Sequence, residues 1–224
     1  MEIKLTSNIN EFIKSIDEKY KKKIPTIIKS SLNKTIYAVE KDLKGVMPQV
    51  FDKPTKYLID NAFELSEKAT EINPAVAIRL KPGLGERILS PHILGTEREN
   101  KPLETKMQSK GLLPKPAQTI SSKSLRDTFG NLPYSQYKNL SFYTEKLRGK
   151  LFSSSPVTKR TEHIGIPGLY ERTNKGNNIK PVILFTQGKI KYKKRFDFKK
   201  IVSELVGKHF ANKFAEAFKN EINK

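Results

Sequence analysis

"GLYERTNKGNNIKPVILFTQGKIKYKKRFDF", residues 168–198, decides the fold. It reads as short strands near 168–173, 180–187 and 190–196, because β-branched and aromatic residues come in bursts between polar breaks. Asn174-Lys175-Gly176 and Gln187-Gly188 supply residues suited to hairpin turns. From about Asp197, Phe198, Ile201, Val202, Leu205, Phe210, Phe214, Ala217, Phe218 and Ile222 then form one broad helical stripe. A helix that apolar has to bury itself against a sheet or another chain. Hairpins followed by a covering helix indicate an α+β protein with a small, mostly antiparallel sheet and a long C-terminal amphipathic helix.

Two helices are expected upstream. Residues 7–23 place Ile9, Phe12, Ile13, Ile16 and Tyr20 at helical spacing, with Ser7 or Asn8 as cap and Pro25 as breaker. A second helix runs from about Thr26 to Gly45, with Ile28, Leu32, Ile36, Val39 and Leu43 as its apolar stripe. Pro48 and Pro54 predict an exposed extended link after it. In "VFDKPTKYLIDNAFEL", residues 50–65, Pro54 sets the exit from the helix. Phe51, Tyr57 and Phe63 anchor the segment on the core or on a neighbouring subunit, and Lys53 and Lys56 face solvent. A strand follows at Ala75 to Leu80. Residues 81–132, rich in Pro, Gly and Ser, read as a long connection with a short helix from Pro102 to Lys110. Residues 134–148 regain a helical pattern. The chain reads as one α+β domain, 1–224, with loop insertions at about 81–132 and 149–163.

The charge balance narrows the partners. Of 224 residues, 43 are Lys or Arg and 23 are Asp or Glu, a net charge of +20. Such a surface attracts polyanions. Most of the cations are Lys, which favours non-specific phosphate contact over base reading. There is no cysteine, so disulfides and thiolate metal sites are excluded. No stretch is apolar enough for a membrane span, and "MEIKLTSNINEF" lacks a signal-peptide core, so synthesis and first folding are expected in the cytoplasm.

Few residues carry recognisable chemistry. His92, His163 and His209 have no partner at metal-ligand spacing. "KPGLGERI", 81–88, lacks the Gly-Lys-Ser/Thr ending of a phosphate loop and reads as a turn. The pairs Glu97/Glu99 and Asp197/Glu204 sit among polar neighbours. Asp52, Asp60 and Glu64 are the acidic residues a nuclease would need for a divalent cation, but they form no motif. In "KIKYKKRFDFKK", 189–200, Lys189, Lys191, Lys193, Lys194 and Arg195 can neutralise phosphates, and Tyr192 can stack on a base. An edge strand defended by lysines against aggregation would carry the same residues.

The combination resembles a known family. Phe51 to Thr55 (Phe-Asp-Lys-Pro-Thr), the Leu-x-Pro-x-Ile-x-Gly segment from Leu89 to Gly95, and the turn from Gly111 to Pro114 are similar to minor tail proteins of the Z type, tail-completion proteins of tailed bacteriophages. "GLYERT", a hairpin ending in "RFDF" and a final amphipathic helix match it in style. The resemblance covers about residues 26–222. It implies a non-enzymatic virion protein, without cofactor or metal, that forms a homo-oligomeric ring around the DNA channel at the neck or tail. It would contact other neck or tail proteins and, non-specifically, the genomic DNA. Phe51, Pro54, Tyr57, Phe63, Phe210, Phe214 and Phe218 are then the expected assembly contacts. Two other readings compete: a free sequence-independent DNA-binding protein, and a phage nuclease.

Overall fold

The structure, a computed structural model, describes residues 1–6, 18–133, 151–154, 166–173 and 178–223. Its elements are β1 (Glu2–Thr6), α1 (Glu18–Lys21), α2 (Ile24–Val50), α3 (Lys56–Asn61), β2 (Phe63–Glu67), β3 (Ala75–Leu80) and α4 (Leu84–Leu94). They continue with α5 (Pro102–Ser109), β4 (Thr119–Ser121), a short 3₁₀ helix (Lys123–Leu125), β5 (Leu151–Ser154), β6 (Gly168–Thr173), β7 (Asn178–Phe185) and α6 (Phe198–Ile222). The fold is α+β, with two antiparallel sheets ordered β1-β3-β2 and β4-β7-β6-β5.

Where the sequence suggests one domain, the chain divides into two compact units. The first joins Met1–Thr96 to Lys193–Lys224, and the second is Glu97–Tyr192.

In the first unit, α2 lies on the three-stranded sheet and packs against α6. Ile27, Ile36, Val39, Leu43 and Met47 of α2 bury their side chains with Val76, Ile78 and Leu80 of β3, Leu89 of α4 and the rings of Phe63, Phe196 and Phe198. This core explains why α2 outruns its expected end. The helix passes Gly45 and Pro48 and stops at Val50. A proline inside a helix costs about 3 kcal/mol, but the turn beyond Gly45 fully buries Met47 and packs Val46 and Val50 against the core. Complete burial of one such side chain contributes about 1.5–3 kcal/mol, and the two partly buried valines add to it, which offsets the proline. The expected extended link is therefore shortened to a turn. Phe51 closes α2, its N–H donating to the Met47 carbonyl at 3.0 Å, and Thr55 caps α3 by accepting from Leu58 N at 3.2 Å.

The region 81–132 is a long loop only in part, since α4, α5, β4 and the 3₁₀ turn all fall within it. "KPGLGERI" opens α4. Gly85 is required there because a β-carbon would collide with the Ala62 carbonyl. Gly95 ends the same helix in the left-handed region, φ 71°, with its N–H on the Pro91 carbonyl at 2.9 Å.

In the second unit, Leu103 and Met107 of α5 pack with Leu113, Ala117, Leu169, Val182, Ile183 and Phe185. The strand expected at 190–196 is extended chain with a single bridge, Lys191 to Glu97. Its polar groups are claimed elsewhere: Ile190 N–H donates to the Gln118 side chain at 2.8 Å, and the Ile190 carbonyl accepts from Arg98 N–H at 3.1 Å. The helix expected at 7–23 appears as Glu18–Lys21 followed by a turn at 22–23, residues 7–17 lying outside the described residues. The pattern at 134–148, the turn at 174–176 and most of 149–163 also lie outside them.

Candidate nucleic-acid and assembly surfaces

The basic run divides between the units. Lys189, Lys191 and Tyr192 belong to one, and Lys193, Lys194 and Arg195 to the other. Lys189 faces Glu97 at 3.5 Å and Lys194 faces Asp197 at 3.4 Å, both exposed pairs worth little. Tyr192 is half-buried and interacts with the Arg98 guanidinium, so it does not stand out as a stacking platform.

Arg195 has an internal role. Its Nε donates to His92 Nδ1 at 3.1 Å, its guanidinium lies 5.4 Å from the Phe51 ring centre, and its backbone N–H donates to the His92 carbonyl at 2.9 Å. Burial first, and the Arg195 charge second, lower the His92 pKa from 6.5 to about 4. A neutral imidazole accepting at Nδ1 suits that cationic donor. All five cations of the run are exposed, and among the described residues Lys191 and Lys193 are the two that make no ion pair or side-chain hydrogen bond.

The expected assembly residues separate by burial. Phe63 is 3% exposed and stacks parallel to Phe198 with ring centres 5.8 Å apart, so it is a core residue and no assembly contact. Phe51 is half-buried, 5.2 Å from the His92 ring and 5.7 Å from Phe196. Pro54 is half-buried, while Tyr57 on α3 is 67% exposed. Phe210, Phe214 and Phe218 form a ladder of rings 6.0 and 6.2 Å apart that packs, half-buried, on the first unit's own core.

Sequence reasoning missed the polar centre of the second unit. Glu104, fully buried, accepts from Arg98 through both oxygens at 2.8 and 2.6 Å. It also accepts from Lys101 N–H at 2.7 Å and from Thr119 N–H and hydroxyl at 2.7 and 2.8 Å. Burial opposes its ionisation, but the Arg98 guanidinium and the other donors outweigh it and hold the carboxyl at about 2. Pro102 at the start of α5 with Glu two positions on is the sequence signal that would have found this capping residue. In the first unit, Asp42 of α2 accepts from Lys208 and meets His209 Nε2, both at 2.9 Å, cross-linking α2 to α6. These two partners, Lys208 foremost, hold the Asp42 carboxyl below its usual range. Among the described residues, no group of three or more His, Cys, Asp or Glu is placed to hold a metal ion. No described helix is long and apolar enough to cross a membrane.

Compared with family models, with curated proteins and with solved structures, the chain matches none.

Proposed function

We propose that the protein is a virion structural component of the neck or tail of a tailed bacteriophage. Copies assemble as a ring around the DNA channel, against other neck or tail proteins. One observation supports this reading most directly: the residues that carry the resemblance occupy shape-determining positions. Phe51 to Thr55 join two helices, with Lys53 left-handed at φ 47° and Thr55 as cap. Leu89 to Gly95 form the end of α4, and Gly111 to Pro114 the turn after α5, with Gly111 at φ 68°. Motifs placed this way preserve a shape, as a subunit of an assembly requires. Lys191 and Lys193 would hold phosphates without reading sequence.

The test is the solution mass of the purified protein by light scattering, with electron microscopy of the same sample. Annular particles of several copies are expected without DNA. A monomer that shifts only on adding duplex DNA, and reverts in salt, would replace the ring by a sequence-independent DNA-binding protein, the reading that the +20 charge alone favours.

A further inference from the structure

The three-stranded sheet of the first unit ends in two unlike edges. β2 carries an irregularity between Leu65 and Glu67, the kind of kink that spoils an edge for further pairing. β1 keeps unbroken register with β3 from Glu2 to Thr6. Two bonds at the strand ends show where its backbone groups point. Leu80 N–H donates to the Met1 carbonyl at 3.4 Å and Lys81 N–H to the Ala62 carbonyl at 2.8 Å, so successive residues of β3 bond alternately to β1 and to β2. Ile3 and Leu5 therefore exchange bonds with Ile78 and Val76, while the N–H and C=O groups of Glu2 and Lys4 point away from the sheet. Among the described residues, nothing bonds to those groups.

Such an edge takes up another strand through main-chain hydrogen bonds, and β1 itself has the sequence to be that strand. In antiparallel addition the outward-pointing residues of one copy must face those of the other. With a two-fold axis at Ile3, Glu2 faces Lys4 of the second copy, Ile3 faces its own counterpart and Met1 faces Leu5. Moving the axis to Glu2 sets glutamate against glutamate, and moving it to Lys4 sets lysine against lysine. Like charges directly opposite are destabilising, so one register stands out. The faces agree as well. Ile3 and Leu5 lie half-buried on the core beside α2, and the exposed Glu2 and Lys4 alternate onto the other side of the sheet.

Glu2 is the charge that gains a partner. Its carboxylate accepts from the Ser66 hydroxyl at 2.6 Å and, among the described residues, forms no ion pair. Lys4 already holds Glu67 of its own copy at 2.9 Å, and its ammonium keeps further N–H groups for a second carboxylate. Copies of a +20 chain approach best where their surfaces are balanced, and on this side of the sheet Glu2, Glu64 and Glu67 accompany Lys4 and Arg79. We propose that two copies of this chain join edge to edge through β1, in the register centred on Ile3, so that their three-stranded sheets become one. The contact is isologous and closes on itself, so it neither needs nor builds the ring. In a ring of such copies it couples one ring to a second.

The test uses the full, untagged chain carrying Glu2→Lys, Lys4→Glu or both, with circular dichroism to verify the parental fold. Both positions are exposed. Each single variant sets like charges opposite one another and is expected at half the parental mass in light scattering. That factor of two holds whether the parent is a pair of chains or a pair of rings. The two single variants mixed in equal amounts, and the double variant alone, oppose unlike charges again and should return to the parental mass. Single variants that keep the parental mass, or a mixture and double variant that stay at half of it, would overturn the pairing. A parent made of one copy, or of an odd number of copies, would overturn it too. Halving and recovery of the mass without annular particles in electron microscopy would uphold the pairing and remove the ring reading alone.

Discussion

Lys53 holds φ at 47°, a conformation that costs a residue with a β-carbon about 1–2 kcal/mol. Its side chain is exposed and contributes no packing. Lys53→Gly should therefore raise stability, less the roughly 0.5–1 kcal/mol by which glycine favours the unfolded chain. The expected gain is below about 1 kcal/mol, read as a higher urea midpoint. Thr35 makes a similar case inside the core. It is fully buried on α2, and its hydroxyl finds no partner among the described residues. Thr35→Val removes that unsatisfied oxygen at nearly constant shape, so stability should rise by about 1 kcal/mol; a loss in denaturant titration would mean that the hydroxyl is bonded. Glu104→Gln has the opposite sign. It strands Arg98 in a buried site, and breaking such a pair costs about 3–5 kcal/mol. The effect should appear as lost hydrogen-exchange protection in α5 and β4.

At the scale of elements, Pro48 is the clearest lever. Alanine there restores the N–H that would donate to the Lys44 carbonyl, against a small entropic advantage of proline in the unfolded chain. Pro48→Ala should stabilise by roughly 1–2 kcal/mol, measured as a rise in Tm. The same helix shows what the sequence could reveal. The apolar stripe of α2, the "AVAIRL" of β3 and the capped start of α6 at Asp197 were legible, because each has a strong period or an explicit boundary residue. By contrast, β2 was missed: it is five residues long, and an irregularity between Leu65 and Glu67 breaks its alternation. Being only six residues long, α3 has no period to detect. The 190–196 segment had the composition of a strand, but its partners are single groups on Gln118, Arg98 and His92. Of the candidate site, the cations were legible as cations and their employment was not. Arg195 meets His92 across 103 residues of sequence, and no local pattern encodes that.

At the scale of the molecule, the two units respond differently to acid. His92 in the first unit has its pKa lowered from 6.5 to about 4, so its neutral form stabilises the fold fully above 6.5. That contribution fades as pH falls toward 4, where the unfolded chain binds the proton first. Glu104 in the second unit is held at about 2 against 4.5 when free, so its contribution is complete above 4.5 and is lost only as pH falls toward 2. Hydrogen exchange followed at pH 7, 5 and 3 should show protection in α2 and β3 declining before protection in α5 and β7. Simultaneous loss in both units would contradict this order.

The first unit is also discontinuous, since Met1–Thr96 must be completed by Lys193–Lys224. During synthesis the ribosome delivers α2 and the three-stranded sheet early, but Phe198 and Val202, buried in their core, come from the final helix. Residues 97–192 emerge whole in between and have their own apolar centre. The nascent chain therefore has the means to settle its later-made unit first, while the N-terminal half waits with an open apolar face. That interval, at least the time to translate residues 97–192, is when the open apolar face most needs a chaperone.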